Sequence, residues 1–331
     1  MNIDELKKQI PNETSCRKFL EKLIWPEGRF CPHCQNAHSY KLNGDSCRTG
    51  LYECARCKRQ FTVTTKTPMH STKLPLWKWI LAMYYILNSS KGISSVFLGR
   101  LIGVKQCTAW KMGHAIRLMM NTWSKDLPLL SGTIEMDEKF IGGKPRYHFG
   151  VRHKVAKGTK KQSILVAIQR KGPVFPVQVD TVKKETIIPI MDAAVDTSAD
   201  LMTDKSYVFH QPGKRFASHQ SVYHMAKEYA RGDVHINTAE SFNAMLERAK
   251  TGVFHYMSPK HLGRYLTELS FRWTNRDPKE VTTKMGKKKT IWKPKPIMEQ
   301  LKSLLPFAYG TQLRWYKAGG LRQIAVNPSL N

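Results

Sequence analysis

The sequence predicts a mixed α/β domain preceded by two small modules, a metal-bound ribbon and a helical region. Three observations lead there. Two C-x-x-C pairs lie before residue 60, helical spacing runs from 75 to 123, and strand and helix patterns alternate from 132 onward.

The first elements are helical. Ile3, Leu6 and Ile10, then Cys16, Phe19, Leu20 and Ile24, recur at helical spacing. Pro11 and Asn12 break the stretch, and Thr14 is placed to cap its second half. Cys31-Pro32-His33-Cys34 and Cys54-Ala55-Arg56-Cys57 follow, with nineteen residues between them. Tetrahedral zinc takes four soft ligands, and two knuckles at this spacing supply Cys31, Cys34, Cys54 and Cys57. Four thiolates leave no open coordination position, so a single Zn²⁺ here is structural. The strings 39–42, 51–53 and 60–63 read as the short strands of that ribbon.

From 75 to 123 the chain reads as helices, broken at Asn88 to Gly92 and near Gly103. Ser94 to Arg100, a turn at 101–104 and a helix from Lys105 to Leu118 have the form of a helix-turn-helix. Val96, Leu98, Leu101, Val104 and Ala109 are its expected core. Lys105, Gln106, Thr108 and Lys111 are then expected to face a major groove. The same spacing also suits a plain helical pair.

Beyond 132, Thr133 to Ile141, Ser163 to Gln169 and Val174 to Val179 read as strands. A helix is expected at Thr186 to Val195, a strand at Ala199 to Thr203 and a short strand at Val234 to Ile236. Helices from about Thr238 to Lys250 and from Lys260 to Trp273 complete the pattern. The tail from Asp277 is rich in Lys and Pro and is expected to be loosely attached. The division expected is 1–28 helical segment, 29–70 ribbon, 71–125 helix-turn-helix, 130–276 α/β domain and 277–331 basic tail.

Charge narrows the partners. Fifty-four Lys and Arg against twenty-five Asp and Glu leave +29. A surface that positive repels itself and implies a polyanion, nucleic acid first. A membrane is disfavoured: the longest apolar run, Trp79 to Leu87, is nine residues, where a spanning helix needs about 20. Met1 to Gln9 has no apolar core, which predicts a cytoplasmic protein. Lys144, Arg152 and Lys154 belong to a basic flap after residue 139, and Arg248 and Lys250 to a second basic cluster. All five are candidate contacts to a DNA backbone.

Against that background the acids stand out. No acid occurs between Lys139 and Val179, yet Glu135-Met136-Asp137-Glu138 lies on the first strand of the α/β domain. Alternation puts Glu135 and Asp137 on one face and Ile134, Met136 and Glu138 on the other. Asp204 closes a strand and Glu240 begins a helix. Taken singly each reads as a surface acid, but carboxylates gathered at strand ends suit a hard divalent cation.

Asp137, Asp204 and Glu240, with thirty-five residues between the last two, resemble the triad of DDE transposases on an RNase H-like fold. The longer resemblance is to bacterial insertion-sequence transposases that join a zinc ribbon to such a domain, relatives of the Merlin elements. It rests on the cysteine knuckles, on residues 133–138, on His235-Ile236-Asn237-Thr238-Ala239-Glu240-Ser241-Phe242 and on the run from Ser258 to Arg276. It covers roughly residues 14 to 276.

The resemblance implies two Mg²⁺ or Mn²⁺ ions on the three acids, cutting at terminal inverted repeats, strand transfer into target DNA and a homo-oligomer on the nucleoid. The chain departs from the family in one place. Where a Lys often stands seven positions after the glutamate it has Glu247, followed by Arg248. That departure keeps a zinc-ribbon regulator with an inactive catalytic domain as a rival, and a structure-specific nuclease or resolvase is the other. Asn237 is the alternative third ligand, although its position is that of a helix cap.

Overall fold

The computed structural model describes all residues except 45–46, 122–127, 144–160, 227, 284–285, 287, 317–319 and 326–331. The chain forms two compact units, residues 1–122 with 277–331 and residues 123–276.

The first unit opens with helices α1 (Ile3–Gln9) and α2 (Glu13–Ile24). Asn2 and Glu5 form a capping box on α1. Asn12, rather than the expected Thr14, caps α2 by accepting from the Ser15 amide. Strands β1 (Ser39–Lys41), β2 (Tyr52–Cys54) and β3 (Gln60–Phe61) make a small antiparallel sheet. Such a sheet buries little by itself. Its Tyr52 and Phe61 meet Trp25 edge-on at 6.0 and 6.2 Å, which joins the ribbon to the end of α2.

The nine-residue apolar run lies inside α3 (Leu76–Asn88), a core helix with most of its residues buried. Helix α4 (Ser95–Ile102) starts at Ser94, whose hydroxyl accepts from the Phe97 amide. It ends at Gly103 in the left-handed conformation, and α5 (Gln106–Met119) follows. The expected small core needs correcting. Leu98 and Ala109 are buried, but Val96 and Leu101 are 49% and 37% exposed. Because α4 runs two residues past the expected end, Ile102 faces inward in place of Leu101.

The second unit is built on a five-stranded sheet. Strands β4 (Thr133–Ile141), β5 (Gln162–Gln169) and β6 (Val174–Val179) are antiparallel neighbours. Helix α6 (Lys184–Ala194) crosses to β7 (Asp200–Asp204), and α7 (Tyr207–Gly213) crosses to β8 (Ser218–Val222). Strand β7 pairs in parallel with both β4 and β8, so the order across the sheet is β6-β5-β4-β7-β8.

The short strands β9 (Ala230–Arg231) and β10 (Val234–His235) lead into α8 (Asn237–Ala249) and, later, α9 (Pro259–Thr274). One face of the sheet, with Ile134, Met136, Leu165 and Leu201, packs with Ile187 and Met191 of α6 and Phe209 of α7. The other, with Ile164, Val166 and Ile168, packs with Phe242 and Leu246 of α8 and Leu262, Leu266 and Leu269 of α9. Strand β5 is therefore apolar from Ile164 to Ile168, because both of its faces are covered.

The chain then returns to the first unit. Strands β11 (Arg276–Thr282) and β12 (Lys288–Pro294) pair, α10 (Ile297–Leu304) follows, and β13 (Thr311–Tyr316) pairs with β14 (Gly320–Ala325). The expectation of a loosely attached tail is overturned here. Ile297, Leu301 and Leu304 form a helical stripe buried against α2 and α3. Tyr309 packs on Phe30 at 5.1 Å. The flanking Lys and Pro residues hide that stripe in the composition.

Candidate active site and metal centre

The two knuckles have matching geometry. Gln35 N–H donates to Cys31 C=O and Lys58 N–H to Cys54 C=O. Gln35 and Lys58 both take positive φ, 63° and 55°, which tightens each turn. The turns bring Cys31, Cys34, Cys54 and Cys57 together with all four sulfurs within 4.8 Å of one another. His33 N–H points at Cys31 Sγ (3.4 Å) and Cys57 N–H at Cys54 Sγ (3.5 Å). Burial pushes the Cys31 thiol up to about 12. Burial opposes ionisation at Cys54 too, but N–H groups of Cys57 and Arg56 and the Cys34 thiol outweigh it and bring Cys54 down to about 6. Four sulfurs in this arrangement, with N–H groups aimed at them, suit a structural Zn²⁺.

The second unit brings the acids together by strand register. Met136 of β4 lies opposite Thr203 of the parallel β7, so Asp137 and Asp204 stand side by side one step further on. Asp137 Oδ1 accepts from the Glu138 amide at 2.8 Å, and Oδ2 from Asn243 Nδ2 at 2.7 Å. Asp204 Oδ1 accepts from the Ser206 amide at 3.2 Å. Glu240 lies exposed in the first turn of α8, 3.7 Å from His224 Nδ1.

Burial lifts the Asp137 carboxyl to about 6, and repulsion by Asp204 and Glu240 adds to it, against the two hydrogen bonds. The three acids therefore share one electrostatic neighbourhood. They do not converge as closely as the cysteines do: among the described residues the cysteine tetrad alone has three or more potential ligands within 4.8 Å.

Two site residues escaped sequence reasoning. Asn243 is buried one turn beyond Glu240, and its Oδ1 has no hydrogen-bond partner among the described residues. A buried acceptor left open beside a carboxylate is a place for a cation's water shell. Glu135 is the other. Its carboxylate is fully buried and accepts from Thr238 N (2.7 Å), Ala239 N (2.9 Å) and Thr238 Oγ1 (2.9 Å) at the start of α8. Arg170 Nε donates to it at 2.7 Å, and the same guanidinium donates to His235 C=O at 2.9 Å. Glu135 thus takes the capping role expected of Asn237. It ties the helix of Glu240 to the strand of Asp137. The only sequence signal was its parity with Asp137.

The predicted DNA contacts fall into three groups. Lys105, Gln106 and Lys111 are exposed near the start of α5 and Thr108 is half-buried, while the Gln106 amide also donates to Ser95 Oγ at 2.8 Å. Lys144, Arg152 and Lys154 lie outside the described residues. Arg248 is exposed, whereas Lys250 pairs with Glu247 at 2.8 Å.

Comparison with known proteins completes the assignment. Residues 11–60 match the transposase zinc-ribbon domain and residues 129–274 the ISXO2-like transposase domain. The chain is 26% identical over 298 residues to an uncharacterised protein in transposable element ISH50 of Halobacterium salinarum. That alignment covers 86% of this chain and 97% of the relative. No solved structure matches.

Ribbon and mixed-sheet domain together define a transposase of the insertion-sequence class. Within that class the chain belongs to the DDE transposases that carry a zinc ribbon ahead of an ISXO2-like domain. Both matched domains imply DNA as the partner. No helix among the described residues is long and apolar enough to cross a membrane.

Proposed function

We propose that Asp137, Asp204 and Glu240 hold two Mg²⁺ or Mn²⁺ ions, and that the second unit cuts DNA at the element's inverted repeats and joins the ends to a target. The observation that carries this reading is the β4–β7 register that sets Asp137 beside Asp204, with Glu240 near enough to act on the buried Asp137 carboxyl. A buried carboxylate beside two further acids is a candidate site for a hard divalent cation. When bound, two such ions activate a water or 3′-hydroxyl and stabilise the departing oxygen.

The chain's own residues provide the frame. Asp137 and Asp204 hold adjacent positions on rigid central strands. Asn243 orients the Asp137 carboxylate, and Glu135 with Arg170 fixes the start of α8, the turn that carries Glu240. Three antiparallel strands followed by two parallel ones, flanked by α6 and α7 on one face and α8 and α9 on the other, support an RNase H-like reading. Helices α4 and α5, joined through left-handed Gly103, support a helix-turn-helix that presents Lys105, Gln106, Thr108 and Lys111 to DNA. With the ribbon it would recognise the repeats, in a homo-oligomer on DNA inside the cell.

Glu247 favours a second reading, a DNA-binding regulator. It lies two turns beyond Glu240 on α8 and holds Lys250, so a cation on that face is already paired. Lys139 also acts on Glu247 electrostatically.

The deciding experiment is Mg²⁺-dependent cleavage of DNA carrying the repeats that flank the gene. Wild type is expected to cut at the repeat ends, and Asp204→Asn to bind the same DNA without cutting. Cleavage that survives Asp204→Asn would refute the acid assignment, and repeat binding without cleavage in either protein would establish the regulator.

A further inference from the structure

Strands β7 and β8 end at a cavity of about 310 Å³ that the three acids do not fill. Its wall includes Asp204, Ser206, Tyr207, His210, His219 and Ser221. The volume is at the lower end of small-ligand pockets, suited to one nucleotide and too small for a base pair. At the floor, His219 Nε2 lies 2.9 Å from Thr203 Oγ1. Its ring lies so close to Gly213 that any Cβ there would collide with it. Burial, with His210 nearby, holds the His219 imidazole below its ordinary value, so at neutral pH it presents hydrogen-bonding atoms rather than a charge.

Exposed aromatic residues follow the pocket along the chain. Tyr207 is 82% exposed, Tyr229 61% and Tyr223 38%. Lys205 Nζ lies 4.8 Å from the Tyr223 ring centroid, and the His224 ring is 5.5 Å from that of Tyr229. His224 in turn approaches Glu240. The rings therefore run from beside Asp204 to beside Glu240, each near a cationic or imidazole group. Exposed tyrosines interleaved with basic groups are the composition of a single-strand platform: the rings take base faces and the cations take phosphates. Bases paired inside a duplex cannot offer those faces.

Resting on the acid-site reading above, we propose that this pocket and the tyrosines beyond it bind unpaired nucleotides of the strand flanking the scissile phosphate, with Tyr207 stacking on the base nearest Asp204. The experiment compares the affinity of the full chain, zinc-loaded and without Mg²⁺, for two DNAs. One is a blunt repeat end. The other is the same end with a short unpaired overhang bearing 2-aminopurine.

Wild type is expected to bind the overhang more tightly and to quench its fluorescence. Tyr207→Ala should lose about tenfold of that preference while blunt-end affinity stays unchanged. Tyr207→Phe, which keeps the ring, should retain it, and so should Tyr256→Ala, an exposed tyrosine outside the pocket. Equal affinity of wild type for both DNAs would overturn the proposal. So would a preference that survives Tyr207→Ala, or an equal loss in Tyr207→Phe or Tyr256→Ala. Because binding is read without cleavage, failure of the acid assignment appears separately, as cleavage surviving in Asp204→Asn.

Discussion

Replacing Glu135 by Gln tests how the catalytic unit positions its third acid. The wild-type carboxylate takes four hydrogen bonds in a site closed to water, one of them from Arg170. Gln retains one acceptor oxygen. Turned toward the Oε2 side, it still receives Thr238 N–H and Ala239 N–H. Its amide N–H₂ then faces the Arg170 guanidinium, which loses its counter-charge.

Removing one partner of a buried pair costs about 3–5 kcal/mol. Arg170 is 21% exposed and keeps its bond to the His235 carbonyl, which brings the loss to about 2–3 kcal/mol. For a unit of this size that lowers Tm by roughly 4–12 °C. The start of α8 loosens, and Glu240 with it. A misplacement of about 1 Å at the reacting centre is worth about a hundredfold in rate. Cleavage of repeat-end DNA should therefore fall by about two orders of magnitude, while DNA affinity, read by fluorescence anisotropy, holds. Glu135→Asp keeps the charge but loses the reach of one methylene, and should lose cleavage too. Far-UV circular dichroism checks that the variants are folded. If Glu135→Gln melts within about 1 °C of wild type and cuts within about twofold, the helix clamp does not exist.

Other perturbations follow from the same geometry. Asp137 has a folded value raised from 3.8 to about 6, so its charge destabilises the ion-free fold above pH 6, and that penalty is relieved as pH falls toward 3.8. Differential scanning fluorimetry should show the Mg²⁺-induced gain in Tm shrinking as pH drops through about 6, and Asp137→Asn should remove that gain. A gain that persists in Asp137→Asn contradicts the site. Cys54→Ser removes one of four thiolates, and atomic absorption should find the zinc content sharply reduced; zinc retained at wild-type level would mean the tetrad is not the site. Glu247→Gln breaks only a partly exposed pair with Lys250, so urea unfolding should change by less than about 1 kcal/mol. A larger loss would show that Glu247 carries a structural role.

Local chemistry is what the sequence by itself determined. The cysteine spacing set the ribbon, because a knuckle is a turn of four residues whose ligands are near neighbours in the chain. Strand β4 runs from Thr133 to Ile141 as alternation predicted, β6 runs from Val174 to Val179 as its compact apolar run predicted, and parity alone put Glu135 and Asp137 on one face. Polar β8, Ser218–Val222, was not legible, since an edge strand needs no apolar run and its pairing partner β7 supplies the reason for its shape.

The capping of α8 by Glu135, the hold of Asn243 on Asp137 and the burial of α10 all join residues far apart in the chain. No periodicity records such pairs. Tertiary structure alone decided them, because a carboxylate becomes a helix cap, and a stripe of three apolar residues becomes core, only when another segment arrives to complete the contact.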